Sequence, residues 1–149
     1  MARQYRFGPS TRIINWIFQV MTRLGIGASY RYILTVVGRK TGQLHSNPVD
    51  AMRHDEGLWL VAGYGPANWV GNARAAGIVT LSRAGRSERY TVHEVTPKEA
   101  VPVLRKYIRE VRVTRPYFDA GPDADDNAIE SELARHPVLN LMPFGNEDG

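Results

Sequence analysis

Between Ile13 and Leu24 the apolar residues return at helical spacing. Ile13, Trp16, Ile17, Val20, Met21 and Leu24 fall at i, i+3, i+4, i+7, i+8 and i+11, with Ile14 and Phe18 widening the face. Ser10 or Thr11 is placed to cap the start. Asn15, Gln19 and Arg23 interrupt the stretch, leaving it too short and too polar for a bilayer span of roughly 20 apolar residues. The spacing therefore predicts an amphipathic N-terminal helix. Two uses stay open: docking on its own domain, or lying on a membrane or over a ligand, which its arginine flanks and Trp/Phe face suit. The basic segment before it carries no evident cleavable signal.

Downstream the period shortens to that of strands. RYILTVV (31–37) is β-branched and stops at Gly38. HSNPVDAMRH (45–54) and LWLVA (58–62) read as extended segments joined by a tight Asp-Glu-Gly turn, with Pro48 predicting an edge or a bulge. NWVGNARAAG predicts a short helix closed by Gly77. A hairpin follows over residues 78–95, with Ala84 and Gly85 at its tip. TPKEAVPVLRKYIREV opens with a capping box, Thr96 to Glu99, and has Pro97 at the first helical position. Val101, Leu104, Tyr107, Ile108 and Val111 line one face of that helix, and Pro102 sits early enough to be tolerated. RPYFDAGPDADDN reads as a loop, AIESELARH as a short helix and PVLNLMP as a last strand. Antiparallel hairpins with helices at their ends predict an α+β protein on a small mixed or closed sheet. The 149 residues suit one domain, with 1–30 as a helical segment and 31–149 as the sheet.

Composition narrows the chemistry. Apolar content of 43% with 23% charged residues is globular. The absence of cysteine excludes disulfides, thiol nucleophiles and cysteine-ligated metals, and fits a reducing compartment. Net charge is +4, carried mostly by arginine, the residue suited to bidentate recognition of phosphate and carboxylate. An anionic partner and plain GC-rich codon usage both account for that bias.

Most catalytic signatures are missing. His45, His54, His93 and His136 occur singly, without zinc-ligand spacing, and no nucleophile elbow is present. DADDN lacks the glycine and closing glutamate of a calcium loop and reads as a solvated loop leading into a helix. Arg105, Arg109, Arg112 and Arg115 form a stripe that is a solvated face or an anion contact. GIGASY follows a helix, and GYGPAN lacks a third glycine, so neither makes a dinucleotide fingerprint, and no βαβ series accompanies them. GRKTGQLHSNP is different. Its glycines expose backbone N–H groups between two strands, and Arg39, Lys40, Thr41 and Gln43 add donors, which makes a phosphate site or a merely charged hairpin turn.

LTVVGRKTGQLHSNPV resembles the opening motif of the deazaflavin-dependent nitroreductase and quinone reductase family. Leu34, Thr35, Gly38, Arg39, Lys40, Thr41, Gly42 and Pro48 match its pattern, and WVGNARAAG matches a second motif at Trp69 and Asn72. The similarity runs from about Leu34 to Val95. The resemblance implies a split β-barrel and the deazaflavin coenzyme F-420, whose hydride passes to an activated acceptor such as a quinone, an enone or a nitroaromatic. It further implies that Arg39, Lys40 and Thr41 grip the coenzyme phosphate, with Gly42, His45 and Asn47 completing that end of the site. Ala62, Gly63, Trp69 and Asn72 would flank the ring. His45 stands where the family often has arginine, and Tyr64 where several members have lysine. Tyr117 and then Tyr64 are the candidate proton donors, with packing aromatics as the alternative. Two other readings are a lipid- or fatty-acid-binding split barrel without turnover and an FMN enzyme whose phosphate the same turn would hold. The partner expected is a small-molecule acceptor rather than nucleic acid, in a cytoplasmic monomer or homodimer whose N-terminal helix offers peripheral membrane contact.

Overall fold

The computed structural model describes Trp16 and residues 30–145. Trp16 is helical and 64% exposed; the rest of the predicted N-terminal helix lies outside the described residues. Six antiparallel strands follow: β1 (Arg31–Val37), β2 (Leu44–His54), β3 (Gly57–Val61), β4 (Ile78–Arg83), β5 (Arg86–His93) and β6 (Val138–Pro143). They close into a barrel in the order β1-β2-β3-β6-β5-β4, the split-barrel architecture that the family resemblance implied. The β2–β3 turn places Asp55 and Glu56 at φ 48° and 65°, and the β4–β5 turn places Ala84 and Gly85 at 52° and 78°. Two left-handed residues in a row give a turn whose twist matches that of its strands.

Alternation along the strands sorts side chains between two cores. Leu34, Val49, Leu60, Val79, Tyr90 and Leu139, one from each strand, meet inside the barrel. Their neighbours Val61 and Val138 point outward and pack with Met52 under a helix. That helix, α2 (Pro97–Glu110), follows α1 (Asn68–Ala76), which plugs the barrel with Trp69, Val70 and Ala73. Gly77 ends α1 in the left-handed conformation at φ 74°. The expected capping box opens α2: the Thr96 hydroxyl accepts from Glu99 N at 3.2 Å. Val103, Leu104, Tyr107 and Ile108 then seal the outer core.

β2 serves two neighbours in turn. Residues Leu44 to Asp50 pair with β1, whereas pairing with β3 begins only at Asp50. Pro48 thus sits on the free side of β2, the edge position expected of it.

Two segments differ from the sequence reading. The stretch read as a loop begins as a 3-10 helix, Arg112–Tyr117. Arg115 folds back to donate to Ile108 O at 3.1 Å and Arg109 O at 3.2 Å, satisfying carbonyls that the end of α2 leaves open. The next helix, α3, spans Asp126–Ser131 rather than 128–136, because Asp125 caps it by accepting from Ala128 N at 2.8 Å. The arginine stripe is partly structural: Arg105 donates to Pro122 O at 2.8 Å and to Ala124 O and Asp126 Oδ1 at 2.6 Å each.

Candidate functional site

The GRKTG segment is the β1–β2 turn, tied by Gly38 N to Gln43 O at 2.7 Å and Gly42 N to Gly38 O at 2.9 Å. Gly42 is left-handed, with φ 71°. A methyl on Gly38 would stand 2.6 Å from His45 Nε2 and 2.8 Å from Thr41 Oγ1. Glycine there lets His45 fold over the turn, where its Nε2 meets Thr41 Oγ1 at 3.3 Å. Thr41 also accepts from Gln43 N at 3.2 Å. Arg39, Lys40, Thr41, Gly42 and His45 are exposed, and Asn47 is half-buried on β2 opposite Leu34.

The two motifs singled out in the sequence meet. Arg39 N donates to Asn72 Oδ1 at 3.1 Å, and Arg39 Nη1 donates to the same oxygen at 2.6 Å and to Asn68 O at 3.0 Å. The guanidinium lies over Gly71, where an added Cβ would be 2.8 Å from Cζ. The cation turn is therefore clasped onto the first turns of α1. Trp69, expected beside a ring, is buried in the barrel core. Lys40 makes no hydrogen bond or ion pair among the described residues.

A second cluster forms where β3 ends. Ala62 is buried and its N donates to Pro137 O at 3.0 Å. His136 places Nδ1 2.9 Å from Ala62 O and Nε2 2.9 Å from Tyr117 O. One imidazole, stacked on Phe118 at 3.8 Å, thus ties both segments together. It brings the two predicted tyrosines into contact, with the Tyr64 and Tyr117 rings 5.4 Å apart. Just before Tyr64, Gly63 passes so near Tyr107 that a Cβ would sit 1.8 Å from its hydroxyl.

Under this cluster lies a polar network absent from the sequence reading. Arg31 and Asp50 face each other across β1 and β2, with Nε 2.9 Å from Oδ1, at 9% and 4% exposure. Tyr107 donates to Asp50 Oδ2 at 2.5 Å. Burial pushes the Asp50 carboxyl up while the Arg31 charge opposes it. Burial, and then the Asp50 charge, hold the Tyr107 phenol well above its usual value. The only trace in the sequence is an aspartate within an otherwise apolar run, Val49 to Met52. His136 and Arg31 left no signal of their role.

Among the described residues no acidic or histidine cluster could hold a metal ion, and no helix is long and apolar enough to cross a membrane.

The chain thus presents an exposed cation turn clasped to the start of α1 and, after β3, a pair of tyrosine rings in contact. The profile of the F-420H(2)-dependent quinone reductase family matches residues 12–123, and the chain belongs to that family. It is an oxidoreductase dependent on the deazaflavin coenzyme F-420. No curated protein matches the sequence. Among solved structures, one described as a domain-swapped dimer shares 13% identity at a TM-score of 0.56, covering 91% of this chain and all 100% of that one. An F-420-H2-dependent reductase shares 13% identity at a TM-score of 0.50, over 76% of this chain and 95% of its own. An F-420 reductase shares 16% identity at 0.50, over 84% and 93%.

Proposed function

We propose that the chain binds the deazaflavin coenzyme with its phosphate on the β1–β2 turn and its ring against Ala62, Gly63 and Tyr64, and that it reduces quinones, enones or nitroaromatics. The observation that carries this reading is the Arg39–Asn72 clasp, which joins the two motif segments at one place. The residues present fit the group. Lys40 is an exposed cation without an internal partner among the described residues, and Arg39 commits Nη1 to α1 while its guanidinium has further donors. The bound coenzyme supplies a hydride; the protein binds, orients and shields it from water.

Within this reading each residue has a separate task. The Lys40 and Arg39 side chains hold the phosphate, Thr41 shapes the turn, and His45 lies over it. Tyr117, with Tyr64 against it, donates a proton from its phenolic oxygen to the reduced acceptor. Hydride transfer from the coenzyme requires no protein nucleophile.

The test uses two steps. Oxidised coenzyme is titrated into the protein and followed by fluorescence quenching, then the reduced coenzyme is mixed with a naphthoquinone and its reoxidation recorded. Saturable binding with acceptor-dependent reoxidation is expected. Saturable binding of a fatty acid or FMN, with none of the deazaflavin, overturns the reading.

A further inference from the structure

We propose that His136 is a positioning residue for the reaction: mounted on the barrel, it fixes the Tyr117 backbone relative to Ala62 and so sets the Tyr117 ring against Tyr64. The proposal rests on the coenzyme reading for what the two phenols do, whereas the contacts belong to the chain alone.

The mounting is on the sheet itself. β3 and β6 pair as far as Val61 and Val138, and Ala62 N extends the ladder by donating to Pro137 O at 3.0 Å. His136 is the next residue out, 1% exposed, and its amide donates to Glu132 O at 2.9 Å. From there the ring reaches two ways, Nδ1 to Ala62 O and Nε2 to Tyr117 O, at 2.9 Å each. Phe118 lies flat on it, the rings 3.8 Å apart and 18° from parallel.

Tyr117 is placed differently. It ends the 3-10 helix Arg112–Tyr117, which lies outside the paired strands. Side chains of residues 132–136 grip the segment 117–119. His136 faces Tyr117 O, Glu132 Oε2 accepts from Asp119 N at 2.9 Å, and Arg135 donates to Asp119 Oδ2 at 2.9 Å. His136 then carries that grip across to the segment leading to Tyr64, whose ring lies 5.4 Å from that of Tyr117.

Packing alone is a poor reason for histidine here. A phenylalanine would also stack on Phe118 and would avoid burying a polar ring. It could not meet two backbone oxygens at opposite edges. Carbonyl oxygens only accept, and a protonated ring nitrogen donates. An imidazole between two segments therefore fixes their separation, which apolar packing would leave free to slide. A proton donor works through the place of one oxygen, and a shift of about 1 Å can cost about a hundredfold in rate.

The experiment compares His136→Gln, His136→Asn and Tyr117→Phe. Glutamine puts an amide nitrogen near the Nε2 position and can still donate to Tyr117 O, whereas asparagine reaches only the Ala62 side. Both His136 variants should melt cooperatively and bind oxidised coenzyme within about twofold of wild type. Reoxidation of the reduced coenzyme by a naphthoquinone should slow about tenfold in His136→Asn and much less in His136→Gln. Adding His136→Asn to Tyr117→Phe should slow it no further. A wild-type rate in His136→Asn overturns the proposal, and so do equal losses in the two His136 variants or penalties that multiply with Tyr117→Phe. Tyrosine-labelled NMR of the coenzyme-free protein separates this idea from the coenzyme reading. Cross-relaxation between the Tyr64 and Tyr117 rings, assigned by its loss in Tyr64→Phe and Tyr117→Phe, should persist in His136→Gln and weaken in His136→Asn even if no coenzyme binds. Unchanged cross-relaxation in His136→Asn overturns the proposal whatever the coenzyme does. Should His136→Asn fail to fold, Phe118→Leu removes the ring that holds the imidazole flat; smaller losses of rate and of cross-relaxation are expected, and no change in either overturns the proposal.

Discussion

The guanidinium of Arg39 lies 2.6 Å from Oδ1 of Asn72, 33 positions further along the chain, and the Arg39 amide reaches the same oxygen. An exposed arginine in a turn is thereby a structural residue as well as a cation. Its two roles come apart by mutation. Asn72→Ala leaves both donors without their acceptor and should cost about 1–3 kcal/mol of stability, read as a lower midpoint in urea.

Lys40→Ala tests the charge without the clasp. The side chain is exposed and unpaired among the described residues, so the urea midpoint should stay where it is. Loss of a charge-assisted contact of about 1.5–3 kcal/mol predicts coenzyme affinity at least about tenfold weaker. An unaltered dissociation constant in the folded variant would remove the phosphate from this turn.

Gly63→Ala should be costly for a reason visible at one atom. The new methyl would fall 1.8 Å from the Tyr107 hydroxyl and 2.6 Å from its Cζ. Overpacking of this kind costs about 1–3 kcal/mol or more. Combining it with Tyr107→Phe removes the nearest atom but not the ring carbon, so thermal melts should show a partial rescue.

His45→Arg restores the residue usual in the family. Arginine carries its charge at every relevant pH, and a long side chain can still clear Gly38, which His45 now overlies. Tighter coenzyme binding than wild type is expected in a fluorescence titration. Equal or weaker binding would mean that the imidazole serves the turn and not the ligand.

Alkaline titration probes the buried phenols. Burial, and then hydrogen bonding to Glu88, push Tyr90 up from 10.0 to about 12, and Tyr107 is held well above the ordinary phenol value. The folded state binds these protons more tightly than the unfolded chain does. Their stabilising share is therefore complete below about pH 10 and, for Tyr90, is lost as pH climbs through about 12. Of the seven tyrosines, Tyr90→Phe and Tyr107→Phe should each delete absorbance change from the last stage of the titration. Deletion from an early stage would contradict the burial.

How much of this was legible in the sequence depended on the distance between partners. RYILTVV became β1 without a shift, and Thr96 with Glu99 became a capping box, because period-two patterning and caps are decided within a few residues. The family resemblance assigned the turn and Asn72 to opposite ends of one coenzyme, but their direct contact was not anticipated, since nothing local links the two segments. Tyr107 illustrates the limit. Its place on the apolar face of α2 was correct, yet its hydroxyl answers to Asp50, 57 positions away, and no spacing rule reaches that far. Arg115 was read as part of a charged stripe, but it turns inward to carbonyls that exist only once α2 has ended.

The register of β2 carries one more consequence. From Leu44 to Val49 its backbone pairs only with β1, and β1 itself pairs with β4 no further than Thr35. The tip of this hairpin is a two-stranded ribbon, fastened to α1 at its far end by Arg39. Amide hydrogens near the tip should exchange through a local opening whose free energy the clasp sets, far below that of global unfolding. The turn is then a latch with its own equilibrium, and Asn72→Ala would raise how often it is open as well as lowering the stability of the whole.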